Sequence, residues 1–522
     1  MSSNESEELW EQKKETSHKI TNVFWITLAI TLVFVTIGIL TPTGLASVTA
    51  NIQNFITTTF GWYYLIFVSV LVIFCFYLII SPIGSIKLGK AGEKPKYSTI
   101  SWFGMLFSAG MGVGLVFWGA TEPLSHYAIS SPEAEPGTNQ ALMDAFRFSF
   151  FHWGIHAWAI YAFVGLTLAY FQFRQDKPGL ISATLDPLLG RFMKPSVRVT
   201  IDVIAVFATI VGVATTLGFG ATQINGGLSF LFDIPVSFKI QIIIIAVVTV
   251  LFLTSAMSGL GRGMKWLSNT NMVLAVLLMI IVIIVGPTLL TLNMMTDATG
   301  AYMQNFIGMS FRTSPVDAAG REWINSWTIF YWAWFISWSP FVGIFIARVS
   351  KGRRIREFLA GVILLPTLLS VVWFAVFGTA STSVQRAGFD LTQLKTEEVL
   401  FGTFNHMPLG SLLSIIAIFL IGVFFITSAD SATYVLGMQT MNGVMNPANR
   451  VKFIWGIIQS LIASILLFSG GLEGLQNMLI IVALPFSFIM LLMMISLSIA
   501  LRKERRDLGL YIKPKSLRKP NS

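Results

Sequence analysis

The stretch Tyr331–Gly343, YWAWFISWSPFVG, decides how this chain is read. It lies inside an apolar segment of roughly membrane-spanning length. It also holds Trp332, Trp334 and Trp338, with Pro340 just behind them. Pro340 has no amide hydrogen and crowds the carbonyl of Ile336, four residues back. A lipid-facing helix gains nothing from that defect, and broken backbone at membrane depth persists only where protein buries it or a cavity exposes it. Tryptophan is also the best side-chain partner for an organic cation. The expectation is a spanning helix, broken at Pro340, whose tryptophans form a site for a positively charged solute. The competing reading is a helix end with an aromatic belt at the membrane–water interface.

Outward from this stretch the composition is of one kind. The 522 residues are 54% hydrophobic and 11% charged, against about 25% charged in a soluble domain. The fold class expected is therefore an all-α polytopic membrane protein. Cys75 is the single cysteine, so no intrachain disulfide and no thiolate metal centre are expected. The first apolar run follows about twenty polar residues and is long enough to span, which reads as a helix and not a cleaved signal.

Twelve apolar segments can be marked, at about 22–42, 61–82, 99–121, 142–173, 198–224, 236–256, 266–293, 324–348, 357–379, 410–437, 452–469 and 476–500. An even number puts both termini on one side. With the termini inside, the inner loops and their edges hold eighteen Lys and Arg and the outer ones five, and the tail after 500 adds eight more inside. That is the positive-inside bias. It places both termini in the cytoplasm and explains the net charge of +10 without any nucleic-acid partner. Two outer connections are long, 294–323 and 380–409. The first carries an amphipathic patch, Tyr302–Phe311, expected to lie along the surface.

Three further stretches hold chemistry at membrane depth. Ser108-Ala-Gly-Met-Gly-Val-Gly114 sets glycine at 110, 112 and 114 in the third segment. Each weakens a helix by about 1 kcal/mol relative to alanine. A break here would offer backbone amides to an anionic group and carbonyls to an alkali ion, while Gly110 and Gly114 equally fit small-xxx-small helix packing. The fourth segment reads FHWGIHAWAIY, residues 151–161. In it Trp158 and Tyr161 share a helix face and Trp153 lies partly round it. These side chains either complete an aromatic cage with Trp338 or form a packing stripe. His152 and His156 have metal-compatible spacing but no third ligand pattern, so no metal site is assigned. In the tenth segment Thr427 and Ser428, with Asp430 close by, either offer oxygen to a cation or bond back to their own helix. Glu122, Asp144, Arg147 and Asp202 stand near segment ends, where water is expected within reach. No catalytic triad, P-loop or carboxylate pair stands out, so an enzyme is not expected.

Taken together, GMGVGLVFWGATEP, FHWGIHAWAIY, ISWSPFVGIFIARVSKGRRIREF and FFITSADSA resemble the signature segments of the betaine/choline/carnitine transporter family, over about residues 22–510. Within it the chain is most similar to glycine betaine carriers of Gram-positive bacteria. The resemblance implies twelve transmembrane helices in a LeuT-like fold with two inverted five-helix repeats. The expected division is a tail at 1–21, two peripheral helices at 22–98, the first repeat at 99–293, the outer connection at 294–323, the second repeat at 324–500 and a basic tail at 501–522. It further implies sodium-coupled uptake of a trimethylammonium osmolyte across the bacterial cell membrane, sodium being a co-substrate with no other cofactor, and a homotrimer.

Carried across by residue, the resemblance assigns Trp153, Trp158, Tyr161 and Trp338 to the cage, flanked by Trp334 and Phe335, with backbone at Gly110, Met111 and Gly112 near the substrate carboxylate. One sodium would be held by carbonyls of Ser108, Met111 and Phe424 and the hydroxyls of Thr427 and Ser428. A second would use Thr209 and Phe341. Phe335 stands where related carriers have a second adjacent tryptophan, and Val213 where a sodium-coupled member has threonine. Alternatives are a sodium-independent carnitine/betaine exchanger, a choline carrier, or a channel or osmosensor. The tail's eight cations and two anions between 502 and 519 also suit contact with anionic lipid.

Overall fold

A computed structural model describes residues 19–90, 92–110, 112–258 and 263–510, without side chains at 107–110, 258 and 263–266. Ten helices among them are long and apolar enough to cross a membrane. The only pairing of strand type among the described residues is an isolated bridge between Lys87 and Arg354. The all-α, polytopic class expected from composition is the one the chain adopts.

Helix boundaries follow local chemistry. Helix α1 (Asn22–Leu40) stops before Pro42, which then opens α2 (Pro42–Ile80) at its first turn, where the missing N–H costs nothing. Helix α2 begins well before the apolar segment expected from 61. Asn51, Gln53 and Asn54 mask its water-side half in a hydropathy reading. The third segment is two half-helices, α3 (Thr99–Gly110) and α4 (Val113–Leu124), with Gly112 extended between them. The fourth is also divided, into α5 (Asn139–Trp153) and α6 (Ile155–Ala169), with Gly154 out of helical conformation. Helices α7 (Pro195–Phe232), α8 (Phe238–Ser258) and α9 (Gly263–Val285) follow. The seventh segment, expected to reach 293, ends sooner. Pro287 caps a separate helix α10 (Thr288–Ser310), which takes in most of the patch expected to lie along the surface. Its inward side is buried through Met294, Ala298 and Tyr302.

After the short α11 (Ala318–Ile324) comes a π turn, Asn325–Ile329, and then α12 (Phe330–Val349). The break expected at Pro340 does not occur: α12 runs straight through it. The Ser339 hydroxyl donates to the Ile336 carbonyl at 2.7 Å, supplying the hydrogen bond that the proline cannot. Helices α13 (Ile355–Arg386), α14 (Val399–Asn405), α15 (Gly410–Thr440) and α16 (Asn449–Asp507) complete the chain. Straight, α16 would be about 90 Å long, roughly three times a bilayer core. Gly471, at φ 58° and ψ −142°, bends it.

Helix α13 backs both halves of the broken third segment. The Trp102 ring of α3 sits against Gly361 of α13, and the Trp373 ring of α13 sits against Gly119 of α4. A Cβ at either glycine would collide with the facing indole. Trp373 also donates to the Leu115 carbonyl at 2.8 Å, and Trp102 to the Ser350 hydroxyl at 2.9 Å. The Arg353 guanidinium lies 3.9 Å over the Trp102 ring.

Candidate functional site

Helix α12 presents Tyr331, Trp334, Phe335 and Trp338 at i, i+3, i+4 and i+7, one continuous face. The first three rings lie nearly parallel along it, at 12–21° to one another and 6.3–6.4 Å between centroids. Trp332 falls on the other side and stacks on His156 at 5.4 Å, so it leaves the cluster to which the sequence reading joined it.

The α12 face meets the fourth segment. Trp153 packs edge-on against Trp334 at 5.9 Å and Phe335 at 5.6 Å. Tyr161 meets Phe335 at 5.5 Å, and Trp158 meets Tyr161 at 5.4 Å. Trp153 is the last residue before the Gly154 break, and Trp158 lies in the first turn or so after it. The interruption lets both indoles reach the same cluster. The N–H of Ile155, left free by the break, donates to the Tyr302 hydroxyl at 3.2 Å.

The glycine segment completes the enclosure. A Cβ on Gly114 would stand 2.5 Å from one atom of the Trp334 ring and 3.2 Å from the Trp153 ring. Its absence lets two tryptophans lean on the start of α4. The first backbone amides of α4 have no carbonyl ahead of them within the helix, and they lie beside these rings. Ser108, Gly110 and Met111 are outside the residues whose side chains are described. A Cβ on Gly112 would stand 4.0 Å from the Trp338 ring. Trp338 itself is a turn further along α12. It donates to the Gly212 carbonyl at 2.8 Å and meets Phe341 edge-on at 5.5 Å. Among the described residues it makes no ring contact with Trp153, Trp158 or Tyr161, so the aromatic group is one cluster plus Trp338 at its end.

Behind the cluster lies Glu122, which does not sit within reach of water as its position near a segment end suggested. It is 0% exposed. Its Oε2 accepts from Trp153 Nε1–H at 2.8 Å and from the Tyr331 hydroxyl at 2.6 Å. Its Oε1 lies 2.7 Å from His152 Nδ1 and 3.3 Å from His126 Nε2. The rings of Trp323 and Trp327 cover His126 at 4.9 and 4.4 Å and close the site from the loop side. Arg147 and Asp202 are corrected likewise: Arg147 pairs with Glu133 and with Asp144 at 2.9 Å, and Asp202 accepts two bonds from Ser182. The two histidines paired by sequence spacing part company. His156 bonds Ser310 at 2.9 Å, whereas His152 joins Glu122 and His126, whose ligand atoms lie within 4.8 Å of one another. Oε1 is shared by both rings, while His126 Nδ1 is buried without a hydrogen-bond partner among the described residues.

Thr427 bonds back to its own helix, at 3.0 Å to Val423 and 3.1 Å to Phe424, and accepts from Asn271 Nδ2 at 3.0 Å. Ser428 is half-buried beside it, and α15 packs against α4. Thr209 also bonds its own helix, at Ala205, while Phe341 meets Trp338. Sequence reasoning missed Tyr331 and Glu122 as partners of the cage. Tyr331 was readable, three residues before Trp334 on one helical face. Glu122 and His126 at i, i+4 carried the same spacing signal as the histidine pair.

The rings of Trp153, Tyr331, Trp334 and Phe335 thus gather where two of the helices are interrupted, and aromatic faces attract organic cations. Comparison with known proteins gives the family. Residues 22–506 match the BCCT family, described as betaine/carnitine/choline family transporters. The chain is 60% identical to the glycine betaine transporter OpuD of Bacillus subtilis over 96% of its length and 98% of that protein's. It is 44% identical to an ectoine/hydroxyectoine transporter of Virgibacillus pantothenticus, covering 92% and 96%, and 43% identical to a probable glycine betaine transporter of Desulfitobacterium hafniense, covering 93% and 98%. The chain is thus a multi-pass membrane transporter, not an enzyme, and belongs to the betaine/carnitine/choline family.

Proposed function

We propose that this chain takes up glycine betaine, or a related trimethylammonium osmolyte, together with sodium. The observation that carries the proposal is the clustering of Trp153, Trp158, Tyr161, Trp334 and Phe335 at the glycine break of a chain so similar to a betaine transporter. A desolvated cation over an aromatic face gains about 2 kcal/mol or more, and the amides of Val113 and Gly114, which open α4, suit the carboxylate. Counting α3 with α4 as one span and α16 as two brings the ten long helices to twelve. The proposed arrangement is two inverted repeats, 99–293 and 324–500, in a trimer in the bacterial cell membrane with both termini cytoplasmic.

Sodium would be held between α15, through Thr427, Ser428 and the Phe424 carbonyl, and the third segment, through Ser108 and Met111. Thr209 and Phe341 are the weaker second set, since Val213 replaces a threonine. The sodium-independent exchanger is the second reading. The exchangers this chain resembles place an arginine in the fifth segment, and no Lys or Arg occurs here between Arg198 and Lys239, which favours the symporter. The test is uptake into proteoliposomes of labelled betaine, choline, carnitine and ectoine, with and without a sodium gradient. Accumulation of betaine above its outside concentration, only with sodium, is expected. Equal accumulation in potassium buffer would replace the symporter with the exchanger.

A further inference from the structure

The network around Glu122 is larger than a structural hydrogen bond requires. Among the described residues no lysine or arginine pairs with this carboxylate; its charged partners are confined to the two histidines. An indole N–H can only donate, so Trp153 Nε1–H fixes Oε2 as an acceptor, and the Tyr331 hydroxyl reaches the same oxygen. His152 Nε2 lies 3.0 Å from the Thr328 hydroxyl. That hydroxyl can donate to Nε2 and leave Nδ1–H for Oε1. In the tautomer that protonates His126 Nε2, that ring donates to Oε1 as well, and the two oxygens then receive four hydrogens and need none of their own. That arrangement keeps the carboxyl group ionised.

A buried charge without a partner is expensive. Here it lies one hydrogen bond behind Trp153 and Tyr331, whose rings pack on Trp334 and Phe335. Donation to a carboxylate pushes electron density into both rings, which strengthens their hold on a cation. The charge adds its own field from behind. We infer that Glu122 is the counter-charge of the transport site: a positioning residue that holds Trp153 and Tyr331 and makes the site prefer a quaternary ammonium to a neutral group of the same shape. The inference rests on the proposed betaine reading and names what sets its selectivity.

The test uses glycine betaine and its carbon isostere 3,3-dimethylbutyrate, in which a neutral tert-butyl group replaces the trimethylammonium. Binding to the purified full-length protein in sodium buffer is followed by tryptophan fluorescence, for wild type and Glu122→Gln. Two unit charges roughly 10 Å apart, at an effective dielectric of about 20, change an affinity about tenfold. The expected result is a Kd for betaine raised about tenfold or more, with that for dimethylbutyrate unchanged or lowered. Equal weakening of both ligands would reduce Glu122 to scaffolding and overturn the inference, as would no change in either.

Should Glu122→Gln not fold, Tyr331→Phe, which removes one hydrogen-bond link between the carboxylate and the rings, takes its place. Betaine weakened more than dimethylbutyrate supports the counter-charge, and equal weakening of both, or no change in either, overturns it. One bound metal per chain in the purified wild type would also overturn it, by assigning the trio to an ion. A wild type that binds no betaine would bring down the betaine reading, and this inference with it, and that failure is told apart by needing no variant.

Discussion

Gly114→Ala is the sharpest test of the aromatic site, because one methyl group opposes two tryptophans. The added Cβ would lie 2.5 and 2.9 Å from two atoms of the Trp334 ring and 3.2 Å from the Trp153 ring. Ordinary contact begins near 3.4 Å, so Trp334 must retreat by about 1 Å. That ring is stacked on Tyr331 and Phe335 and cannot move alone. Overpacking of this kind costs about 1–3 kcal/mol. Since about 1.4 kcal/mol is tenfold in an equilibrium constant, the affinity of the site should fall by roughly five- to 150-fold. The control is Gly104→Ala on α3, where an added Cβ meets nothing within 4 Å and alanine favours the helix. Initial rates of radiolabelled betaine uptake into proteoliposomes give KM for both variants. A raised KM in Gly114→Ala with Gly104→Ala at the wild-type value is expected. Wild-type KM in Gly114→Ala would refute the placement of Trp334 and Trp153 beside the glycine break.

Trp158→Ala should raise the KM for betaine roughly tenfold at normal membrane expression, since one desolvated cation–π contact is worth about 2 kcal/mol; an unchanged KM would remove Trp158 from the cage. Thr427→Ala combined with Ser428→Ala should fail to transport at ordinary sodium and recover in part at high sodium, read as the sodium concentration for half-maximal uptake. If that concentration is unmoved, the α15 hydroxyls are not ligands. Truncation after Asp507, which removes Lys513, Lys515, Arg518 and Lys519, should leave betaine KM intact and weaken the dependence of rate on anionic lipid, measured in vesicles of graded phosphatidylglycerol content. The cut belongs after Asp507 because Glu504 accepts from Tyr170 at 2.5 Å and Arg174 at 2.6 Å and anchors the end of α16. Unaltered lipid dependence would make the tail a topological anchor only.

The architecture was legible because the bilayer imposes a length: an apolar run of about twenty residues can hardly be anything but a span. Where the chain exceeds that length, as in α2, its polar residues lie beyond the hydrocarbon and hydropathy falls silent. The clustering of the aromatic rings was legible in part for the same kind of reason. Trp334 and Phe335 share a helix face, as do Trp158 and Tyr161, and a 3.6-residue period shows this directly. Reading the tryptophans of YWAWFISW as one group ignored that period and joined Trp332 to the wrong face. Pro340 misled through a sound rule applied to one residue, since the repair came from its neighbour Ser339. Glu122 was misplaced because distance along the chain from a loop is no measure of distance from water. The indoles that seal it, at 323 and 327, are about 200 residues away in sequence. Ser108 and Met111, on which the expected ion site depends, lie outside the described side chains.

The two glycine sockets on α13 and the third segment restrict motion in a particular way. Trp102 enters a notch at Gly361, while Trp373, further along α13, enters a notch at Gly119. Each helix is therefore both peg and hole for the other. A single peg would permit sliding by one residue, but opposed pegs fix the axial register at both ends. Between the two notches, α13 carries Pro366 inside the helix and the third segment carries the extended Gly112. A rearrangement that slid α13 along the third segment would have to withdraw both indoles at once. Filling either notch with a methyl group would displace a buried indole and should slow turnover while leaving the betaine KM unchanged.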